Sequence, residues 1–205
     1  MAFFLEVSFL AKLLVIDNYD SFTYNLVQMF MEYDLEIKVY RSDAASFETV
    51  VSYLPDYLLI SPGPKNPADS GISIPVIKFF YKKIPVLGVC LGMQCINEVF
   101  GGTTVCAPVP MHGKVSRIIH DGQGIFEGLQ RSFIAARYHS LMVNMNTCRQ
   151  NELVITSYSS DGVVMGFSHR IHSLYGVQFH PESFLTENGF LIIKNFLKKG
   201  VLKKI

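Results

Sequence analysis

The chain has 205 residues, 49% of them hydrophobic and 17% charged, with a net charge of +1. That length suits one domain with a sizeable core, and the composition excludes a disordered chain. The near-neutral balance lacks the basic surplus that binding to nucleic acid or an anionic membrane requires.

No apolar run reaches the roughly 18–20 residues of a membrane span. The four cysteines (Cys90, Cys95, Cys106, Cys148) contain no Cys-x-x-Cys pair. Zinc and disulfide frameworks are therefore not expected, and free thiols suit a reducing cytoplasm. The opening 1–12 segment is apolar, but it lacks a basic start and carries Glu6, so it reads as a short extension and a poor signal peptide. Residues 13–205 are read as a single domain.

Leu13-Leu14-Val15-Ile16 has the continuous apolar character of a buried strand, and the loop starting at Asp17 follows it. Ser21 is the expected N-cap of a helix running to about Tyr33. Ile37–Tyr40 reads as a second strand and Phe47–Leu54 as a weaker helix that Pro55 ends. Tyr57–Ile60 reads as a third strand, running into the stiff turn Ser61-Pro62-Gly63-Pro64. A helix is expected over Gly71–Tyr81, then a fourth buried strand over Pro85–Val89, then a further helix from Met93.

Buried strands alternating with amphipathic segments predict an α/β fold: an open, mostly parallel twisted sheet with helices on both faces. The second half has shorter segments rich in turns and aromatics: Lys114–Ile119, Ser132–Ala136, Leu153–Ser157, Val163–Ser168 and Leu174–Phe179. These predict additional antiparallel strands, with Gly189–Lys199 as the closing helix. Ligands of open parallel sheets bind beyond the carboxyl ends of the strands. The Asp17 loop, the Gly63 turn and Cys90 should therefore gather at one rim.

The most informative stretch is Gly88-Val89-Cys90-Leu91-Gly92. A strand runs directly into a helix through a Gly-x-Cys-x-Gly frame, the thiol counterpart of a strained nucleophile elbow. A Cys there meets the unpaired N–H groups and dipole of a helix start, which favour a thiolate. The competing reading is a buried core cysteine.

A thiol nucleophile needs a base, and the base needs an orienting group. His180 is followed by Pro181 and Glu182, two residues on and on the same side of an extended chain. The carboxylate would fix the tautomer of the ring and stabilise the imidazolium. His-x-Glu also opens a zinc-deaminase signature, but the Pro-Cys-x-x-Cys that completes it is missing, so no metal is expected. The N–H of Leu91 and the backbone at Gly63 are candidate oxyanion donors.

These residues resemble the class I (triad) glutamine amidotransferases, from about Leu13 to Leu197. Besides the elbow and the His-Pro-Glu run, the likeness is carried by 17–25 (DNYDSFTYN), by Ser61–Pro64 with Pro67 and Gly71, by Met111–Lys114 and by Arg137–Leu141. The first stretch and His112-Gly113-Lys114 place it nearest the chorismate-using branch, the small subunits of anthranilate and aminodeoxychorismate synthases.

The resemblance implies that Cys90 attacks the side-chain amide of L-glutamine, with His180 as base and Glu182 as its orienter. Gly63 and Leu91 would hold the oxyanion, and Gly63, Pro64, Gln94, Ser140 and Leu141 the substrate. It also implies a larger chorismate-binding synthase subunit, carrying its own Mg²⁺, that receives the ammonia; no cofactor is implied for this chain. Asp17, Asn18, Tyr19, Ser21, His112 and Lys114 would face that partner. Two other readings of the same residues are a stand-alone Cys hydrolase of γ-glutamyl or peptide bonds and a non-catalytic thiol sensor.

Overall fold

The computed structural model describes residues 10–144, 146–147 and 151–202. Most of the 1–12 extension, and Cys148, lie outside them. A nine-stranded sheet runs in the order β2-β1-β3-β4-β9-β8-β7-β5-β6. Its parallel half comprises β1 (Ala11–Asp17), β2 (Leu35–Arg41), β3 (Tyr57–Ile60), β4 (Val86–Val89) and β9 (Leu174–Val177). The rest is antiparallel: β5 (Thr104–His120), β6 (Ser132–Val143), β7 (Leu153–Ser159) and β8 (Val164–His169). The α/β architecture matches the sequence expectation. The first strand starts at Ala11, two residues earlier than its apolar run.

Alternation along each strand builds two cores. Leu13, Val15, Tyr57, Leu59, Leu87 and Val89 face one side, where α1 (Thr23–Met31) and α5 (Gly189–Leu197) pack. Leu14, Ile16, Leu58, Ile60 and Val86 face the other, under α2 (Phe47–Ser52), α3 (Ser73–Phe80) and α4 (Leu91–Val99). Because both faces are covered, β3 and β4 are short, continuous apolar runs. Each fully buried Leu or Ile contributes about 1.5–3 kcal/mol.

Three helix starts differ from expectation, and one of them is α4, which begins at Leu91 rather than Met93. Ser21 caps nothing in α1; Asp20 Oδ1 accepts from the Phe22 N–H (2.8 Å) instead, and the helix begins at Thr23. α3 begins at Ser73, which puts Pro75 in the first turn, where its missing N–H costs no helical bond. His112–Lys114 forms an irregularity inside the 17-residue β5, with Gly113 at φ 67°. This outer hairpin of β5 and β6 carries the 137–141 segment back towards the parallel strands.

Candidate active site

Cys90 sits between β4 and α4 at φ 53°, ψ −103°, a conformation costing a non-glycine residue about 1–3 kcal/mol. Its own N–H donates to Val177 O of β9 (2.8 Å), and its carbonyl accepts from Gln94 N (3.1 Å). The flanking glycines are steric requirements. A Cβ at Gly92 would lie 2.3 Å from Ile60 O, and one at Gly88 2.5 Å from the Gly92 carbonyl. These approaches wedge α4 against β3 and β4 and force the sharp turn that presents the sulfur.

His180 is brought to the same rim by β9 and by β6. Its N–H donates to Ala136 O (3.1 Å), and Thr186 Oγ1 donates to His180 O (2.6 Å) while accepting from Ala136 N (3.0 Å). Nδ1 pairs with Glu182 Oε1 at 2.6 Å, both side chains being buried. Tyr138 packs edge-on at 5.0 Å between ring centroids, and Phe22 at 6.3 Å.

Glu182 takes Nδ1, so Nε2 is the nitrogen available to Cys90; it is buried and without a hydrogen-bond partner. Apo catalytic contacts often close only when substrate binds. Burial works against the imidazolium, but the interactions with Cys90 and Glu182 outweigh it and raise the His180 pKa well above the usual value. At the neighbouring Cys95 burial dominates and pushes the thiol up to about 12.

A pocket of about 460 Å³ opens beside Cys90, lined by Gly63, Pro64, Gln94, Ser140 and Leu141, with Lys65, Asn66, Tyr138 and His139. All five substrate-binding candidates thus meet the candidate nucleophile. Gly63 is held against the turn: a Cβ there would lie 2.6 Å from Asn18 and 2.8 Å from the Leu91 side chain. The three strand-end loops therefore do converge.

Gln94 Nε2 already donates to Leu141 O (3.3 Å) and to Gln178 Oε1 (3.1 Å), which leaves its Oε1 to meet a ligand. Among the described residues no group of three His, Cys, Asp or Glu side chains could hold a metal ion.

The partner-facing candidates divide. Tyr19, Ser21, His112 and Lys114 are exposed. Asp17 and Asn18 are not: they are buried and hold the loop from within. Asp17 Oδ1 accepts from Tyr19 N and Thr23 Oγ1 (both 2.9 Å). The Asn18 N–H donates to Ser61 Oγ (2.8 Å), its Nδ2 to Ser61 O (3.2 Å), and its Oδ1 accepts from Ser73 Oγ (3.0 Å). Polar side chains after a strand look alike in sequence whether they turn in or out. His112 also lines the pocket, with Nε2 2.9 Å from Ser140 Oγ.

Residue-by-residue reading missed Gln178, whose fully buried amide donates from Nε2 to Cys90 Sγ (3.4 Å). A signal existed: Gln178 and His180 alternate with the core residues Val177 and Phe179, so they share a face. It also missed the inward guanidinium of Arg137, fully buried and paired with Asp161 (2.8 and 3.0 Å).

The family model for glutamine amidotransferase class-I matches residues 14–199. Anthranilate synthase component 2 of Thermus thermophilus is 51% identical over 190 residues, 91% of this chain and 92% of that protein. The aminodeoxychorismate/anthranilate synthase component 2 of Bacillus subtilis is 47% identical over 186 residues, 91% of this chain and 95% of that protein. The crystal structure of a candidate GMP synthase protein from Thermoplasma acidophilum has the same fold, with a TM-score of 0.80 at 25% identity over 92% of this chain and 93% of that one. The chain belongs to the class I glutamine amidotransferase family.

Proposed function

We propose that this chain is the glutaminase subunit of a chorismate-using synthase, hydrolysing L-glutamine and delivering ammonia to a larger subunit that makes anthranilate, aminodeoxychorismate or both. The observation that carries the reading is the juxtaposition at one pocket: a strained cysteine at a helix start, and a buried imidazole with Nδ1 held by Glu182 and Nε2 unpartnered. The similarity to component 2 subunits supports the choice of partner class. Residues 13–205 act as one catalytic domain. The free thiols Cys90, Cys95 and Cys106 suit the cytoplasm.

The Cys90 thiol gives its proton to His180 Nε2, and the thiolate attacks the δ-carbon of glutamine. The oxyanion accepts from the N–H groups of Leu91 and Gly63, where a single donor is worth ~2.7–4 kcal/mol. As the tetrahedral intermediate collapses, His180 protonates the leaving nitrogen, ammonia departs and a γ-glutamyl thioester remains on Cys90. His180 then takes a proton from water, hydroxide adds to the thioester, and glutamate leaves as the thiol regains its proton. Glu182 holds the imidazolium at both steps. Pro64, Gln94, Ser140 and Leu141 shape the substrate pocket. The exposed Tyr19, Ser21, His112 and Lys114 face the synthase subunit, which supplies its own Mg²⁺. Ammonia must pass to it under cover, because protonation in water would remove its nucleophilicity.

The test is a split of activities in the complex with a chorismate-binding synthase subunit. Cys90→Ala and His180→Ala should each lower glutamine-dependent synthesis by about 10³-fold or more, without summing, while synthesis from added ammonia persists. Full glutamine-dependent synthesis in either variant, or parallel loss of both activities, would overturn the reading.

A further inference from the structure

A second chain of buried hydrogen bonds, separate from His180 and Glu182, ends on the sulfur of Cys90. It begins at Arg137, whose guanidinium is fully buried and anchored by Asp161 and by Ser116 Oγ (3.0 Å). Arg137 Nε–H donates to His139 Nε2 (3.0 Å). Arginine is always a donor, so His139 Nε2 must be the acceptor and Nδ1 must carry the proton. Nδ1 then donates to Leu141 O (2.9 Å). Burial, then the nearby Arg137 charge, lower the His139 pKa to about 4, so this neutral tautomer holds at neutral pH.

Leu141 O also accepts from Gln94, which fixes the NH₂ end of the Gln94 amide. That NH₂ meets Gln178, so the atom of Gln178 facing it must be the oxygen. The Gln178 NH₂ is thereby turned towards Cys90 Sγ, at 3.4 Å. Every ambiguous orientation in the series is decided by the residue before it, starting from the one group that cannot accept.

We propose that Gln178 is a catalytic residue that donates a hydrogen bond to the Cys90 thiolate, and that Arg137, His139 and Gln94 are positioning residues that keep its amide from flipping. The inference rests on Cys90 being the nucleophile. It assigns the anion a donor besides the helix start and the imidazolium. The proton leaves with His180; Gln178 only stabilises the charge left behind. An amide with no titration of its own gives that support at any pH, which an imidazole alone does not.

The experiment is alkylation of Cys90 by iodoacetamide across pH in the full chain, a readout that needs no glutamine. The other titratable or charged groups round Cys90 are His180 with Glu182, His139 on β6, His112 on β5 and Lys65 after β3, and all stay in place. Gln178→Met removes the donor. It should slow alkylation at pH 7 by about 10–100-fold, move the pH midpoint up, and lower kcat for glutamine more than it raises KM, as loss of a hydrogen bond to a charged atom requires. Gln178→Glu keeps an acceptor for Gln94 but sets a carboxylate against the thiolate. It should be at least as slow, whereas a purely structural Gln178 would tolerate it.

Alkylation of either folded variant at the wild-type rate and midpoint would overturn the proposal. If neither variant folds, the wild-type protein decides: the Gln178 side-chain amide resonance must shift as Cys90 deprotonates, and a stationary resonance would refute the bond. Normal glutaminase activity without these shifts sinks the relay alone. The shifts without glutaminase activity support the relay and sink the proposed function.

Discussion

The turns after β1 and after β4 are built from the same plan and put to different use. Each follows a buried parallel strand, each contains a non-glycine residue at positive φ (Tyr19 at 66°, Cys90 at 53°), and the two lie against each other through Gly63. In the first, Asp17 and Asn18 turn inward and make bonds to Tyr19, Thr23, Ser61 and Ser73. Around the second, two buried polar atoms are left without hydrogen-bond partners: His180 Nε2 and Glu182 Oε2. An unpaired buried group costs about 1–3 kcal/mol, and here the fold bears that at the base and its orienter. The satisfied turn is scaffold, and the unsatisfied one is machinery.

Breaking the second turn should have the largest effect. In Gly92→Ala the new Cβ meets the Ile60 carbonyl, a backbone atom that cannot swing aside. Stability should fall by about 3 kcal/mol, the upper end for overpacking, and glutamine-dependent turnover should go with it. Denaturant unfolding alongside a glutamate-release assay checks this, and a variant with wild-type stability would show that the close approach is not required.

The pocket wall should give a slightly smaller, pH-dependent effect. His139 binds its proton only near pH 4 when folded but near 6.5 when unfolded. Between those values the unfolded state holds more protons, so this residue's contribution is intact above about pH 6.5 and is lost as pH falls to 4. The loss should be about 2–3 kcal/mol. Urea unfolding at several pH values should therefore show a steeper acid decline for wild type than for His139→Gln, and equal slopes would contradict the assignment. His180, with its raised value, has the opposite sign: it stabilises at low pH and loses that contribution as pH rises through its folded pKa.

Loosening the first turn should do least. Ser73→Ala leaves Asn18 Oδ1 without its donor and should cost about 1–2 kcal/mol, with kcat retained. A thermal melt and a steady-state assay suffice, and a large fall in kcat with little loss of stability would erase the distinction between scaffold and machinery.

Local chemistry made much of this molecule legible. Buried strands announce themselves as unbroken apolar runs because both faces of a parallel sheet are covered, which is why β3 was readable to the residue. Gly88-x-Cys90-x-Gly92 and His180-Pro181-Glu182 are legible because nucleophile, base and orienter need fixed residue types at short spacing. The direction of a polar side chain is different, since it depends on what lies across the gap. Ser61 and Ser73 turn Asn18 inward from 43 and 55 residues away. Gln178 reaches Cys90 across 88 residues, and its amide is oriented only through Gln94, Leu141, His139 and Arg137. The sequence alone determined which atoms could react; tertiary packing decided which of them are left unpaired at the pocket, because hydrogen bonds are short and the chain brings their partners together only when it folds.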